Sequence, residues 1–514
     1  MKKLIALLIA VLLLGTFLVA CGDDDNETSS QAASSQAQES SAEETEDESS
    51  EQQESSEEQL GLPDTFWGTT LVMLVNKTRK YMEYEFWYNE ETEDLVASAV
   101  VDRTNKIKED YGIEIQMQYI DALGGTIQEV EKAISANLPL DLVADGAKYL
   151  APSSLNGWYY DLIEENEQYN YLQLDASWWD QPTIRDLSFG GKLFFLTGDI
   201  CIADDYSTWG LFFNKGLIED YGLESPYTLV KENKWTIDTV HEMAKKVNLK
   251  HGETMSYEPS VGDVWGMVAQ SYDGLMFMAG CRQTMVTKDN DDFPIIRIKE
   301  EQNENAWNKV FDLLTDMDYI GVADFFGSYN SGVYGKELEI FVNGNALFMP
   351  NALSVLDDEK FVNTEVDYGL VPMPKYSENQ DEYSSSVTYY WLKVVAIPLS
   401  NIEKVDCAMF ALEALAYYGQ KMVTPKFYQQ VLKGQKVKDE ESEEMLDLIF
   451  RNRTYDMAGV YDFGTNTVVM IQFYTSLLMA KTENRFTSLY DTNKVTYQEA
   501  IDKAILTFMG EDQN

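Results

Sequence analysis

Histidine is almost missing from these 514 residues: His241 and His251 are the only two, ten positions apart in polar surroundings. A histidine-based triad or a metal site built from several imidazoles therefore has little to draw on. Cysteine is scarce as well, with four in the chain. Cys21 stands alone near the start. Cys201, Cys281 and Cys407 are an odd remainder at wide spacing, which is neither a disulfide framework nor a zinc site. They allow one bridge at most and read as three buried neutral thiols. No Gly-x-x-x-x-Gly-Lys-Ser/Thr run occurs, and no Gly-x-Gly-x-x-Gly follows a strand-like segment, so the phosphate-cradling loops of nucleotide enzymes are missing. No cofactor and no metal ion is expected. Basic charge is also short: 39 Lys and Arg stand against 87 Asp and Glu, a net charge of −48. A surface that acidic disfavours nucleic acid and anionic membranes as partners.

What the chain does have begins at its N-terminus. Lys2 and Lys3 precede an apolar segment from Leu4 to Leu14, and Gly15 to Ala20 follow with smaller residues. That order is the layout of an export signal. Leu18-Val19-Ala20-Cys21 resembles a bacterial lipobox, in which Cys21 takes lipid on its sulfur and becomes the first residue of the mature chain. An uncleaved membrane helix from Lys3 to Cys21 is the alternative, at the lower limit of about 17 apolar residues. Residues 22–60 hold 14 acidic residues, no Lys and no Arg, amid Ser, Gln and Ala. Such a segment buries too little apolar surface to offset its ordering entropy and reads as a disordered tether. It and the two N-terminal lysines account for −12 of the −48, leaving −36 on the remainder. That remainder is too long for one ordinary core and suits two lobes.

Along the remainder, strand and helix patterns alternate. Leu71 to Val75 is β-rich. Glu91 to Tyr111 carries Leu95, Ala99, Val100 and Ile107 at helical spacing, and Gly112 to Ile120 alternates apolar and polar residues. A helix from Thr126 to Ala136 and a strand from Leu140 to Ala144 continue the series. The pattern predicts α/β architecture with mostly parallel sheets, whose ligands sit at the strands' carboxyl ends. Asp145 lies at one such end. Farther on, Thr236 is placed to cap a helix through His241 to Val247, with Trp235 as its anchor. Asn343-Gly344-Asn345 reads as a tight turn between a helix and a strand. Asp289 to Asp292 is acidic enough to suggest calcium. It lacks the glycine and distal glutamate of a calcium loop and reads as a solvated turn.

Several stretches carry a family resemblance: Lys192-Leu-Phe-Phe-Leu-Thr-Gly-Asp199, Leu211-Phe-Phe-Asn-Lys215, Asn233-Lys-Trp-Thr-Ile-Asp238, Phe341 to Met349, Tyr368-Gly-Leu-Val-Pro-Met-Pro-Lys375 and Val395-Ala-Ile-Pro398. In this order, from about Gly112 to Tyr418, the chain resembles the extracellular solute-binding proteins of ABC importers, a group with many sugar binders. The resemblance implies a two-lobed periplasmic-binding-protein-like fold, each lobe a mostly parallel sheet flanked by helices. Three hinge crossings would join the lobes, near Thr197 to Asp199, near Val387 to Leu392 and around Tyr455 to Tyr461. The implied division is residues 61–197 with about 390–450 in one lobe and 198–389 with about 451–514 in the other. The implied partners are a small solute and a membrane permease, for a monomeric receptor anchored by lipid on the outer face of the cell membrane.

Aromatic residues are plentiful at 12%, including 31 Tyr and 10 Trp, and they suit a saccharide. A sugar ring offers an apolar face for stacking, and its hydroxyl rim asks for Asp, Asn or Arg, a pairing that discriminates strongly once buried. The expected ligand-binding residues are Asp145, Trp179, Asp199, Trp209, Asn351 and the run Tyr389-Tyr390-Trp391 in the second crossing. Oligosaccharide is the expected solute, with peptides, other polyols and a cationic solute open. Asp204-Asp205 and similar carboxyl pairs keep a surface glycoside hydrolase open as an alternative. A surface adhesin or sensory partner on the same fold is the other.

Overall fold

The alternating pattern closes into two main sheets, of four and five strands, beside two small hairpins among the described residues. A computed structural model of the chain describes residues 60, 66–79, 82, 85–86, 94–328, 331–401, 403–433, 439–465 and 467–510. The expected export signal, Cys21 and nearly all of the tether lie outside the described residues. Residues 63–514 form one compact unit, which carries both sheets.

The chain enters through β1 (Thr70–Asn76), α1 (Leu95–Tyr111), β2 (Glu114–Ile120), α2 (Gly125–Ala136), β3 (Leu142–Gly146) and α3 (Ala147–Ser154). Asp94 starts α1 by accepting the amides of Val96 and Ala97, and Gly112, at φ 68°, ends it in the left-handed region. β1 pairs in parallel with β2 on one side and with β3 on the other, as βαβ connections require. A short helix α4 (Gln181–Leu187), capped by the Asp180 side chain, precedes the first passage out of this lobe.

The second lobe holds β4 (Trp209–Asn214), α5 (Ile237–Lys246), β5 (Trp265–Ala269), α6 (Asp273–Gly280), the hairpin β6 (Val286–Lys288) and β7 (Pro294–Ile296), β8 (Ile320–Val322), α7 (Val333–Val342), β9 (Ala346–Ala352) and β10 (Tyr368–Val371). The main sheet runs β10-β4-β9-β5-β8. β5 is parallel to both β8 and β9, whereas β4 runs against β9 and β10. Thr236 caps α5 as expected, and the fully buried Trp235 donates its indole N–H to the Pro372 carbonyl at 2.9 Å. The Asn343–Asn345 turn joins α7 to β9, with Gly344 at φ 81°.

The chain then returns to the first lobe as β11 (Lys393–Ala396), antiparallel to β3, which completes the order β11-β3-β1-β2. α8 (Val405–Tyr418) packs on α1, and α9 (Glu440–Arg451) packs on β10 of the second sheet. The chain thus meets the second lobe's strands again inside the 390–450 span expected for the first. α10 (Phe486–Phe508) is the last helix, and its Phe508 stacks on Phe189 at 3.8 Å. Cys201, Cys281 and Cys407 are unbridged and buried, and burial pushes their thiol pKa values up, that of Cys407 to about 12.

Candidate functional site

Three segments pass between the lobes side by side. The first and second meet at Leu196–Val395 and at Thr208–Val387. They are also joined by the Thr197 hydroxyl donating to the Lys393 carbonyl at 2.8 Å and by the Thr388 amide donating to Ser207 at 2.9 Å. The third lies along the second at Ser385–Arg453, and the Asp456 amide donates to the Tyr389 hydroxyl at 2.9 Å. Arg453 ties the passages to both lobes. Its guanidinium reaches Asp180 at 3.0 Å, Asp204 at 3.2 Å and Asp205 at 3.3 Å. Burial, with the neighbouring carboxylates, holds Asp204 well above the ordinary carboxylate range, although Arg453 opposes the shift. The Asp204–Asp205 pair is thus occupied by an internal cation.

Where the second passage meets the first lobe, three half-buried tyrosines gather. Tyr149 comes from α3, Tyr272 from the loop before α6, and Tyr390 from the passage itself. The Tyr390 ring centroid lies 6.1 Å from that of Tyr149 and 6.0 Å from that of Tyr272, both edge to face. Lys148 sits over the Tyr390 ring at 5.5 Å and pairs with Asp462, and Gln472 donates to the Tyr390 hydroxyl at 3.3 Å. Burial raises the Tyr390 hydroxyl pKa to about 12, so it stays protonated and able to donate. Trp391, also half-buried, carries the Arg79 guanidinium 3.9 Å above its ring.

Backbone contacts fix this cluster. The amides of Ala147 and Lys148 donate to the carbonyls of Leu392 and Tyr389 at 2.7 and 3.0 Å, so the passage caps the N-terminus of α3. Position 146 must be glycine, because a Cβ there would collide with the Tyr390 carbonyl.

The residues expected from sequence divide by exposure. Tyr390, Trp391 and Asn351 are half-buried, and Asn351 pairs with Gly210 across β9 and β4. Asp145 is fully buried. Its carboxylate accepts from the Thr126 hydroxyl at 2.5 Å and the Gly146 amide at 2.7 Å, and burial raises its pKa. Trp179 is buried and donates to Glu413 at 3.1 Å, a carboxyl that burial pushes up to about 7. Asp199 is half-buried and accepts from Gln420 and Thr424, each at 2.7 Å. Tyr389 is buried, its hydroxyl 3.0 Å from Ser386. Trp209 is buried, its ring centroid 5.9 Å from that of Tyr272 in an edge-to-face contact, so it supports one ring of the tyrosine cluster. Sequence reading missed Tyr149, Tyr272 and Arg79. Each stands three residues past the end of a strand, after Gly146, Ala269 and Asn76 respectively. That offset from a strand's carboxyl end was the available signal.

Below Tyr272 the second lobe carries acids. Asp273 accepts from the Trp209 indole at 3.0 Å and the Gln270 amide at 2.7 Å. Asp324 accepts from the Ser271 amide at 2.7 Å and the Tyr334 hydroxyl at 2.6 Å. Glu337 accepts from the Gln270 side chain. Burial pushes Asp273 up to about 8 and Glu337 well above the ordinary range. The Asp289–Asp292 stretch is the turn of the β6–β7 hairpin, where Asp289 accepts the amides of Asp291 and Phe293 at 2.9 Å.

A family model for bacterial extracellular solute-binding proteins matches residues 88–397. No curated protein matches the chain. Among solved structures, an ABC substrate-binding protein from Listeria monocytogenes in complex with cycloalternan is similar at TM-score 0.50 and 13% identity, over 86% of this chain and 99% of that one. A cyclo/maltodextrin-binding protein complexed with maltotetraose is similar at TM-score 0.51 and 14% identity, over 88% and 98%. UgpB from Mycobacterium tuberculosis, in complex with glycerophosphocholine, is similar at TM-score 0.53 and 14% identity, over 79% and 95%. At such identities the likeness is one of fold, and that fold is the two-lobed one of periplasmic binding proteins.

Proposed function

Because the chain belongs to the bacterial extracellular solute-binding proteins, we propose that it is the lipid-anchored receptor of an ABC importer. In this reading it captures an oligosaccharide between its lobes, closes on it and delivers it to a membrane permease. The observation that carries the reading is the tyrosine cluster. The Tyr390 ring, from the passage between the lobes, has its centroid 6.1 Å from that of Tyr149 in the first lobe and 6.0 Å from that of Tyr272 in the second. A ligand laid on these rings touches both lobes at once and so binds the closed form better than the open one. That differential affinity is what drives closure. Two of the solved relatives hold oligosaccharides, which agrees with aromatic faces flanked by Gln472 and the Lys148–Asp462 pair.

Anchoring rests on Cys21 and the acidic segment after it. Two acyl chains hold a protein stably where one does not. Cys21→Ser is expected to move the protein from the membrane fraction to the medium.

The test of the receptor is intrinsic tryptophan fluorescence and thermal melting of the purified chain against oligosaccharides, peptides and polyols. A saturable signal for one oligosaccharide class is expected. Ligand at a hundred times its Kd should add about 2.7 kcal/mol to stability. Shortening of the sugar during incubation would indicate a hydrolase instead. Silence at about 1 mM, where binding of about −4 kcal/mol already registers, would favour an adhesin or sensor.

A further inference from the structure

The charge at the first lobe's strand ends departs from that of the whole chain. Lys77 and Arg79 follow β1 directly, Lys148 opens α3, and Lys393 opens β11. Among the described residues, four carboxyl groups share this neighbourhood. Asp462 pairs with Lys148, Glu85 pairs with Lys393, Asp121 is exposed after β2, and Asp145 is buried with a raised pKa. Among the described residues, four cations thus meet four acids, one of them held toward its neutral form, in a protein where acids outnumber bases 87 to 39.

Two of the cations are uncommitted. Among the described residues neither Lys77 nor Arg79 has an ion-pair partner. Instead each sits over an aromatic face, Lys77 at 5.7 Å from the Tyr119 ring and Arg79 at 3.9 Å from Trp391. A guanidinium stacked on an indole is oriented without spending its N–H groups, whose planar fork matches two oxygens of an acid. Trp391 is the immediate neighbour of Tyr390, so this fork and the tyrosine cluster are adjacent along the chain.

We propose that the solute is an anionic saccharide, its carboxylate or sulfate received by Arg79 while a neighbouring sugar ring lies on Tyr390 and Tyr149, with Lys77 adding positive charge on the same sheet end. This rests on the receptor reading of the same site and names its substrate class. The chain's overall negative charge does not forbid it. At physiological salt the screening length is about 8 Å, so the cations beside the ligand outweigh acids farther off. A charge-assisted, bidentate contact also separates an acid from its neutral analogue more sharply than stacking does.

The experiment titrates the whole chain with tetrasaccharides containing galacturonate, mannuronate or glucuronate, each beside its carboxyl-reduced neutral counterpart, with sulfated tetramers as a second anionic arm. We expect at least one anionic tetramer to bind ten times tighter than its neutral counterpart, the responding arm telling carboxylate from sulfate. Arg79→Gln should cut that anion-to-neutral ratio at least fivefold, and Arg79→Lys by less. An unchanged melting curve of the free Arg79→Gln variant would attribute the change to recognition. Neutral tetramers binding as tightly as anionic ones, or a ratio untouched by Arg79→Gln, would overturn the anionic class and leave the receptor standing. Silence from every tetramer would overturn both.

Discussion

The carboxyl ends of β1 and β3 in the first lobe and of β5 and β8 in the second occupy like places in the fold, yet they handle charge differently. The first lobe offers cations at the surface, Lys77 half-buried and Arg79 exposed, resting on aromatic faces. The second buries its acids. Asp273 and Glu337 are shielded from solvent, and Asp273 and Asp324 each accept two hydrogen bonds from neighbouring backbone and side-chain donors. The difference separates accessible charge from internal support. Accessible cations remain open to an outside partner, whereas buried carboxyls that hold their protons fix the shape of the loop that sets Tyr272 against Trp209.

The largest effect should come from breaking the support. Asp273→Ala leaves the Trp209 indole and the Gln270 amide buried without an acceptor, an expected loss of about 2–4 kcal/mol in urea unfolding. Next, Tyr390→Ala removes the ring shared by both lobes. It should weaken binding of the cognate saccharide about tenfold or more, about 1.4 kcal/mol, by titration.

A smaller effect concerns pH. Burial raises the pKa values of Asp273 and Glu337 in the folded chain, so folded protein holds these protons more tightly than unfolded protein. Their stabilising contribution is complete below the ordinary carboxylate range and is lost as pH climbs, for Asp273 up to about 8. Melting temperature should therefore fall between pH 5 and pH 8. Glu337→Gln, which mimics the protonated acid, should flatten that slope and melt higher than the parent at pH 8. The smallest effect belongs to the first lobe: Lys77→Ala should change stability by no more than about 0.5 kcal/mol, since it gives up one half-buried cation–π contact and no ion pair among the described residues. A stability loss as large as that of Asp273→Ala would erase the distinction between the lobes.

The fold was largely legible in the sequence because it is written in short-range pattern. The alternation over Gly112 to Ile120 became β2, the helical spacing around Leu95, Val100 and Ile107 became α1, and the cap at Thr236 opened α5. The site was legible only where the chain crosses between lobes, at Tyr390 and Trp391. Local pattern cannot say which aromatic keeps an open face. Tyr389 and Trp179 look like their neighbours in sequence, but Tyr389 is boxed in by Gly459, where a Cβ would strike its ring, and Trp179 is drawn inward by Glu413. Tyr149 and Tyr272 are separated by more than a hundred residues, and each reaches Tyr390 only because its sheet delivers it there.

The lacing of the three passages has a mechanical consequence. Backbone bridges at Leu196–Val395, Thr208–Val387 and Ser385–Arg453, together with the Arg453 tie, resist sliding of one passage past another while leaving each free to twist. If the chain is the receptor proposed above, relative movement of its lobes reduces to one angle about the laced strip, and a partner that spans both lobes then senses a captured molecule without ever touching it.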